Sequence, residues 1–156
     1  MPTDNSGQGR PSVVNRKARF QYQIEESFEA GLVLLGSEIK AVREGKANLA
    51  ESYVRMRRGE AFLVGCHIGP YSGSGPFNHE PRRERKLLLH KRELQRLIGK
   101  VREKGLTLVV TRLYFKGVRL KAEVALARGK KSHDKRRTLV ERSVRREMAR
   151  AVKQRR

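Results

Sequence analysis

A mainly β fold with helices is predicted: an OB-like antiparallel β-barrel with peripheral helices and a flexible basic C-terminal tail. Three observations predict it. Short runs that alternate apolar and polar residues recur up to Ala127, one well-formed 3.6-residue periodicity interrupts them, and beyond Ala127 the composition changes abruptly. Short antiparallel strands with a helix inserted mid-chain favour a small closed or nearly closed barrel, although periodicity alone leaves a sandwich open.

Residues 1–14 carry too little apolar content to order themselves and are expected to form a flexible arm. The fold is expected to start at Asn15. Phe20, Tyr22 and Ile24 alternate with polar neighbours, and Phe28 to Leu35 is β-prone, so two strands are read here, separated by a bend at Glu25-Glu26-Ser27. Gly31 within the second strand signals a bulge or a close backbone approach. Ser37 offers an N-cap for a short helix over Glu38 to Glu44, with Gly45 as its left-handed stop; Ile39 and Val42 would face the core. Tyr53 to Arg58 and Glu60 to Ile68 read as a hairpin turning at Gly59. Gly69 to Glu84, with three Pro and three Gly, reads as a long loop.

The clearest helix spans His90 to Lys104. Leu94, Leu97, Ile98 and Val101 fall at i, i+3, i+4 and i+7, and Gly105 ends it. Thr107 to Lys116 and Arg119 to Ala127 form a last hairpin, whose Gly117-Val118 pair suits a type II′ turn with glycine first. The barrel is therefore assigned to residues 15–127.

Residues 128–156 hold thirteen Lys and Arg against three Asp and Glu. Val140, Val144, Met148 and Val152 recur every four residues, an apolar stripe on a basic helix with no packing partner left in the chain. Isolated helices of this length are marginal in water, so the tail is expected to be disordered when free and to fold on a partner.

The whole chain carries 37 Lys and Arg against 16 Asp and Glu, a formal charge of +21 over 156 residues. Self-repulsion of that size is relieved by a polyanion, and a nucleic acid is the expected partner. The lone Cys66 lies in an apolar stretch and reads as a buried thiol in a reducing, cytosolic setting. No apolar run approaches the ~18 residues of a membrane span, and the first residues lack the apolar core of a signal peptide.

No catalytic constellation is found, so an enzyme is not expected, nor a cofactor. His67, His79, His90 and His133 lack metal-ligand spacing. Arg128-Gly-Lys-Lys-Ser132 superficially matches the end of a phosphate-binding loop, but Val124 stands where that motif needs glycine. The positive signals are basic clusters on ordered segments: Asn15-Arg-Lys-Ala-Arg19, Lys40 with Arg43 and Lys46, and Arg82-Arg-Glu-Arg-Lys86. Three such clusters can surround one phosphate backbone if the fold gathers them. With nine aromatics, several of them core-like, shape recognition of folded RNA is favoured over single-strand stacking.

Specific strings then carry a resemblance. Asn15-Arg-Lys-Ala-Arg19, Glu29-Ala-Gly31, Gly36-Ser-Glu-Ile-Lys40, Gly45-Lys-Ala-Asn48, Arg85-Lys-Leu-Leu-Leu-His-Lys-Arg-Glu93, Leu113-Tyr-Phe-Lys116 and Gly129-Lys-Lys-Ser-His-Asp-Lys-Arg136 occur in this order. Together they resemble the small protein B family, the SsrA-binding proteins of bacterial trans-translation. The resemblance implies a factor that binds the tRNA-like domain of transfer-messenger RNA (tmRNA, or SsrA RNA). It implies delivery of that RNA to stalled 70S ribosomes with elongation factor Tu, for ribosome rescue and peptide tagging in the cytoplasm. It further implies that the tail becomes helical in the vacant mRNA channel near the decoding centre and senses that the channel is empty.

On the same basis, Asn15, Arg16, Lys17, Arg19, Glu29, Lys40, Arg43, Lys46 and Asn48 are expected on the RNA-binding face, continued by Arg85 and Lys86. Lys130, Lys131, His133, Asp134, Lys135 and Arg136 match the ribosome-binding segment; His133 is suited to stack on a base and Asp134 to cap the tail helix. Glu29 is the informative residue, because a carboxylate beside phosphates makes sense only if it accepts from a base or a 2′-hydroxyl, or orients a neighbouring arginine. Two positions depart from the family pattern: Phe20 stands where many members have His, and Gly117-Val118 replaces a commoner Asn-Gly turn. The alternatives are a structural ribosomal protein and a tail that binds anionic membrane, the latter weakened by the absence of an aromatic anchor.

Overall fold

The computed structural model describes residues 11–130 and 132–154, with the side chains of residues 103, 104 and 132–134 outside the description. Of the arm expected at residues 1–14, residues 1–10 thus lie outside the described residues, as does Lys131. The described residues form a seven-stranded antiparallel sheet, a small two-stranded one and four α-helices.

The N-terminal segment differs from its expected form. Val13–Val14 is a short strand, β1, paired with Leu113 and Arg112, so ordered chain begins before Asn15. Asn15 is followed not by a strand but by a helix, α1, Arg16–Gln21. Asn15 decides this: its side chain accepts from the Ala18 amide at 3.0 Å, capping the first turn. The alternation of Phe20, Tyr22 and Ile24 suggested a strand that only the last two residues enter.

Strand β2, Tyr22–Leu32, runs unbroken through the expected bend, which shrinks to a bulge between Ile24 and Glu26. Gly31 meets the close approach its position implied: a Cβ there would lie 3.3 Å from the Leu88 Cβ. Helix α2, Gly36–Arg43, starts before Ser37. Its first turn is capped from within by Glu38, whose carboxylate accepts from the Leu35 amide at 2.8 Å, while the Ser37 hydroxyl is bonded to His79 instead. On this helix Ala41 and Val42 are buried, and Ile39 is half-buried.

After β3, Ala47–Asn48, the hairpin of β4, Tyr53–Arg57, and β5, Glu60–Val64, turns at Arg58 and Gly59. Both have positive φ, the signature of a type I′ turn. The expected strand to Ile68 breaks at Gly65, whose φ is +76° and whose Cβ would sit 2.5 Å from the Glu51 carbonyl oxygen. His67–Ile68, β6, then pairs with β3 in a small separate sheet. Arg85–Leu88, β7, is a further strand, inserted between β2 and β5.

Helix α3, Lys91–Lys104, ends at a left-handed Gly105 as expected, with Leu97 fully buried. Its outer face is tied to β2 through Glu26, which pairs with Arg96 at 3.1 Å and Lys100 at 2.7 Å. Strands β8, Thr107–Lys116, and β9, Arg119–Gly129, form the long last hairpin. Gly117 has φ +63° while Val118 does not have positive φ, as a type II′ turn requires.

The sheet order is β1-β8-β9-β2-β7-β5-β4, and β4 lies against β8, so the sheet curls around one core without a hydrogen-bonded closure. The inner faces of β2, β8 and β9 fill that core with Ala30, Val110, Leu113, Leu120, Ala122, Val124 and Leu126. On the other face, Ala18 of α1 covers Val109, Ala125 and Ala127, with Tyr22 and Ile24 at the margin.

The last helix, α4, covers Ser132–Gln154. Along it Leu139, Val140, Val144, Met148 and Val152 stay exposed. At its base the Lys130 amide donates to the Gln21 carbonyl at 2.9 Å, and the Arg142 guanidinium lies 5.7 Å from the Phe20 ring. No helix among the described residues is long and apolar enough to cross a membrane.

Candidate nucleic-acid interface

Strand β8 links the positions that the sequence singled out. Its Val109 end is covered by α1; further along, Arg112, Tyr114 and Lys116 project from the same outer face, and Phe115 lies under Arg43 of α2. Beyond α1 the outer face of β2, β9 and β8 carries Glu29, Arg112, Tyr114, Lys116 and Glu123, exposed or half-buried, while α2 meets the far end of β8 from its inner side, at Phe115.

Glu29 sits on this open strip. The Tyr114 hydroxyl donates to one of its carboxylate oxygens, and Lys116 Nζ lies 3.3 Å from the other. The bond from Tyr114 and the charge of Lys116 hold the Glu29 carboxyl below the usual carboxylate range. Partial burial, and then the bond to Glu29, push the Tyr114 phenol above its ordinary value. In register beside Glu29, Glu123 accepts from Arg112 Nε at 2.8 Å. A carboxylate already served by a phenol and an ammonium does not repel phosphate as a bare one would, and its remaining lone pairs can accept from a ribose or a base. Sequence reading missed Arg112, Tyr114 and Lys121; the alternation of β8 and β9 was the signal that could have placed them beside Glu29.

The α2 group lies at one end of the strip. Lys40 Nζ stands 5.3 Å from the centre of the Tyr71 ring, and Arg43 is 5.8 Å from that of Phe115. Lys46 pairs with Glu44 at 2.8 Å and donates to the Pro70 carbonyl at 3.0 Å. Asn48 is exposed opposite His67, its Oδ1 accepting from the Ala50 amide. At the other end, Arg16, Lys17 and Arg19 are exposed on α1, with Lys17 paired to Glu51 at 3.0 Å.

Two expected contact residues are interior instead. Asn15 is 2% exposed: besides capping α1 it donates to the carbonyls of Leu49 at 3.2 Å and Val110 at 3.0 Å, which leaves it nothing to offer RNA. Arg85 is fully buried beneath α2. It is bonded through Nε to Glu38, and donates to the Cys66 carbonyl at 2.7 Å and the Pro81 carbonyl at 3.2 Å. Arg83 also reaches Glu38, at 2.6 Å. Burial pushes the Glu38 carboxyl up, but the bonds from Arg83, the Leu35 amide and Arg85 outweigh it, and the group stays below the ordinary range. Burial raises the nearby Cys66 thiol to about 11, so it is an inert core residue. Lys86 is half-buried and pairs with Glu60 at 3.0 Å.

In the tail segment, Lys135 and Arg136 fall on the first turns of α4, and Lys130 Nζ bonds the Thr138 hydroxyl at 3.2 Å. The side chains of His133 and Asp134 lie outside the described residues. Because α4 begins at Ser132, the backbone of Asp134 is already inside its first turn. Among the described residues, no group of three His, Cys, Asp or Glu is placed to hold a metal ion.

The model of the SmpB protein family matches residues 12–154, nearly the whole chain. The chain belongs to the SmpB family. An SsrA-binding protein of Thermosynechococcus vestitus is 56% identical over 142 residues, covering 90% of this chain and 93% of the relative. Another, of Symbiobacterium thermophilum, is 54% identical over 146 residues, covering 92% of each. Among solved structures, a chain from "tmRNA-SmpB: a journey to the center of the bacterial ribosome" superposes with a TM-score of 0.66. It is 48% identical and covers 78% of this chain and 86% of that one. The family match thus spans the residues of the open strip, of both basic helices and of the tail as far as residue 154.

Proposed function

We propose that this chain is an RNA-binding factor, not an enzyme, that holds the tRNA-like domain of tmRNA and delivers it to stalled ribosomes for trans-translation. The observation that carries the reading is the open outer face of β2, β9 and β8: a partnered Glu29 lies between cations on α1 and α2, in a chain of the SmpB family. Arg16, Lys17 and Arg19 at one end, and Lys40, Arg43 and Lys46 at the other, are spaced to grip a folded phosphate backbone. Glu29 and Asn48 supply polar acceptors and donors between them.

The tail supports the second half of the reading. α4 presents an exposed apolar stripe on a basic helix that touches the body only near its base among the described residues, and an anionic channel both neutralises the charge and holds the helix. Lys130, Lys131, His133, Asp134, Lys135 and Arg136 would face the ribosome, near the decoding centre and the vacant mRNA channel. The charged RNA would arrive with elongation factor Tu, in the cytoplasm and without a cofactor.

The test is recovery of the protein from bacterial cells at moderately high salt, where weak phosphate-only contacts dissociate first, followed by sequencing of the bound RNA. A single small RNA with a tRNA-like end is expected; ribosomal RNA alone would mark a structural ribosomal protein. Removal of residues 128–156 should leave tmRNA binding intact and abolish peptide tagging. Loss of both would make the tail part of the RNA grip.

A further inference from the structure

The loop between Gly69 and Glu84 was absorbed by neither the core nor the strip described above. Of the nine aromatic residues in the chain, six have a Lys or Arg over the ring, and Tyr22 and Phe28 pack against buried side chains. Phe77 is the exception. Its side chain is the most exposed of all large apolar residues described, at 88%, and the only such exposed residue in this loop.

The loop that carries it is fixed. Asn78 closes it by accepting from the Tyr71 amide at 2.9 Å and donating to the carbonyls of Tyr71 at 3.0 Å and Gly75 at 3.2 Å. The Phe77 amide itself donates to the Ser74 carbonyl at 3.1 Å. The ring is therefore held in water on an ordered turn, so much of the ordering cost of a contact is already met. Two ammonium groups are anchored to the same loop: Lys46 on the Pro70 carbonyl and Lys40 over the Tyr71 ring. A protein-binding anchor is normally ringed by further large apolar side chains, whereas Phe77 is the one exposed large apolar side chain of this loop. An exposed flat ring on a loop that also holds two lysines, one of them shared with Glu44, fits a nucleotide, the base stacked on the ring and its phosphates reaching the lysines.

We propose that Phe77 is a stacking platform for one unpaired base of the bound tmRNA, with Lys40 and Lys46 neutralising the adjoining phosphates. This rests on the tmRNA-binding reading above and adds a base contact to a face otherwise built from charges and hydrogen bonds.

The chain contains no Trp, so Phe77→Trp introduces a single fluorophore at the proposed contact. Titration with a tmRNA transcript should quench its emission, with affinity near that of the parent chain. Phe77→Ala should bind the transcript on the order of tenfold more weakly, with the dependence of binding on salt unchanged because no phosphate contact is lost. Its thermal unfolding should match the parent's, since the ring contributes nothing to the core. Unaltered Trp emission together with parental affinity in Phe77→Ala would overturn the proposal. Quenching by ribosomes but not by tmRNA would also overturn it, by placing the ring against a ribosomal component. Failure of the parent chain itself to bind tmRNA is a different result, which removes the underlying reading and this contact with it.

Discussion

Glu38, on α2, lies fully buried between two guanidiniums, whereas Glu29, on β2, keeps 41% of its side chain in water between a phenol and an ammonium. Both are carboxylates in a chain of charge +21, and both have depressed pKa values. Their surroundings give them different work. Beneath α2, Glu38 joins the first turn of that helix to β7 and to the loop before it, so its cations are spent on the protein. On the open strip, Glu29 and its partners keep free lone pairs and protons facing outwards. In so basic a protein, burial separates the cations that build the fold from those available to a ligand.

The largest expected effect lies on the buried side. Glu38→Ala leaves Arg85 charged and unpaired in the interior and should destabilise the chain by about 3–5 kcal/mol, read from urea unfolding. A cost under about 1 kcal/mol would mean that the pair is not what fastens α2 to β7. Acid should expose the same group. A carboxyl with a folded-state pKa below its unfolded value of about 4.3 stabilises fully above that value, and the contribution is lost as the pH falls through the folded value. The urea midpoint should therefore fall as the solution is acidified below this range, and Glu38→Gln should flatten that dependence. An unchanged slope would assign the acid sensitivity to other carboxylates.

On the exposed side the order of effects reverses. Glu29→Gln should change stability by less than about 1 kcal/mol, as exposed ion pairs do, yet weaken tmRNA binding several-fold although it raises the net positive charge. Tighter binding would reduce Glu29 to a repulsive bystander. The smallest effect is spectroscopic: in Glu29→Gln the Tyr114 phenol should ionise at lower pH than in the parent, visible in phenolate absorbance. An unshifted titration would mean that burial alone sets it.

The elements legible in the sequence were those whose cause is local. α3 and the β8–β9 hairpin were fixed by periodicity and by Gly105 and Gly117, and Gly31 marked a close approach. What was misread depends on distant partners. Asn15 looks like one end of a basic run until Leu49 and Val110 are seen to accept from it, and Arg85 looks like its neighbour Lys86 until Glu38, 47 residues away, is placed beside it. β7 is four residues long and too short to show a period. α1 was obscured because Phe20, Tyr22 and Ile24 alternate across the boundary between a helix and a strand. Arg16, Lys17, Lys40, Arg43 and Lys46 were legible as exposed cations, but nothing local showed that β8 would run between the two groups.

The pairing of β2 with β9 also governs when the chain can acquire its shape. β2 is complete by Leu32, but its principal partner spans Arg119–Gly129. While the protein is being synthesised, this eleven-residue strand must wait with one edge unpaired until Arg119–Gly129 has followed it off the ribosome. A chain that stops before Arg119 lacks the strand that joins β2 to β8, and with it the centre of the sheet.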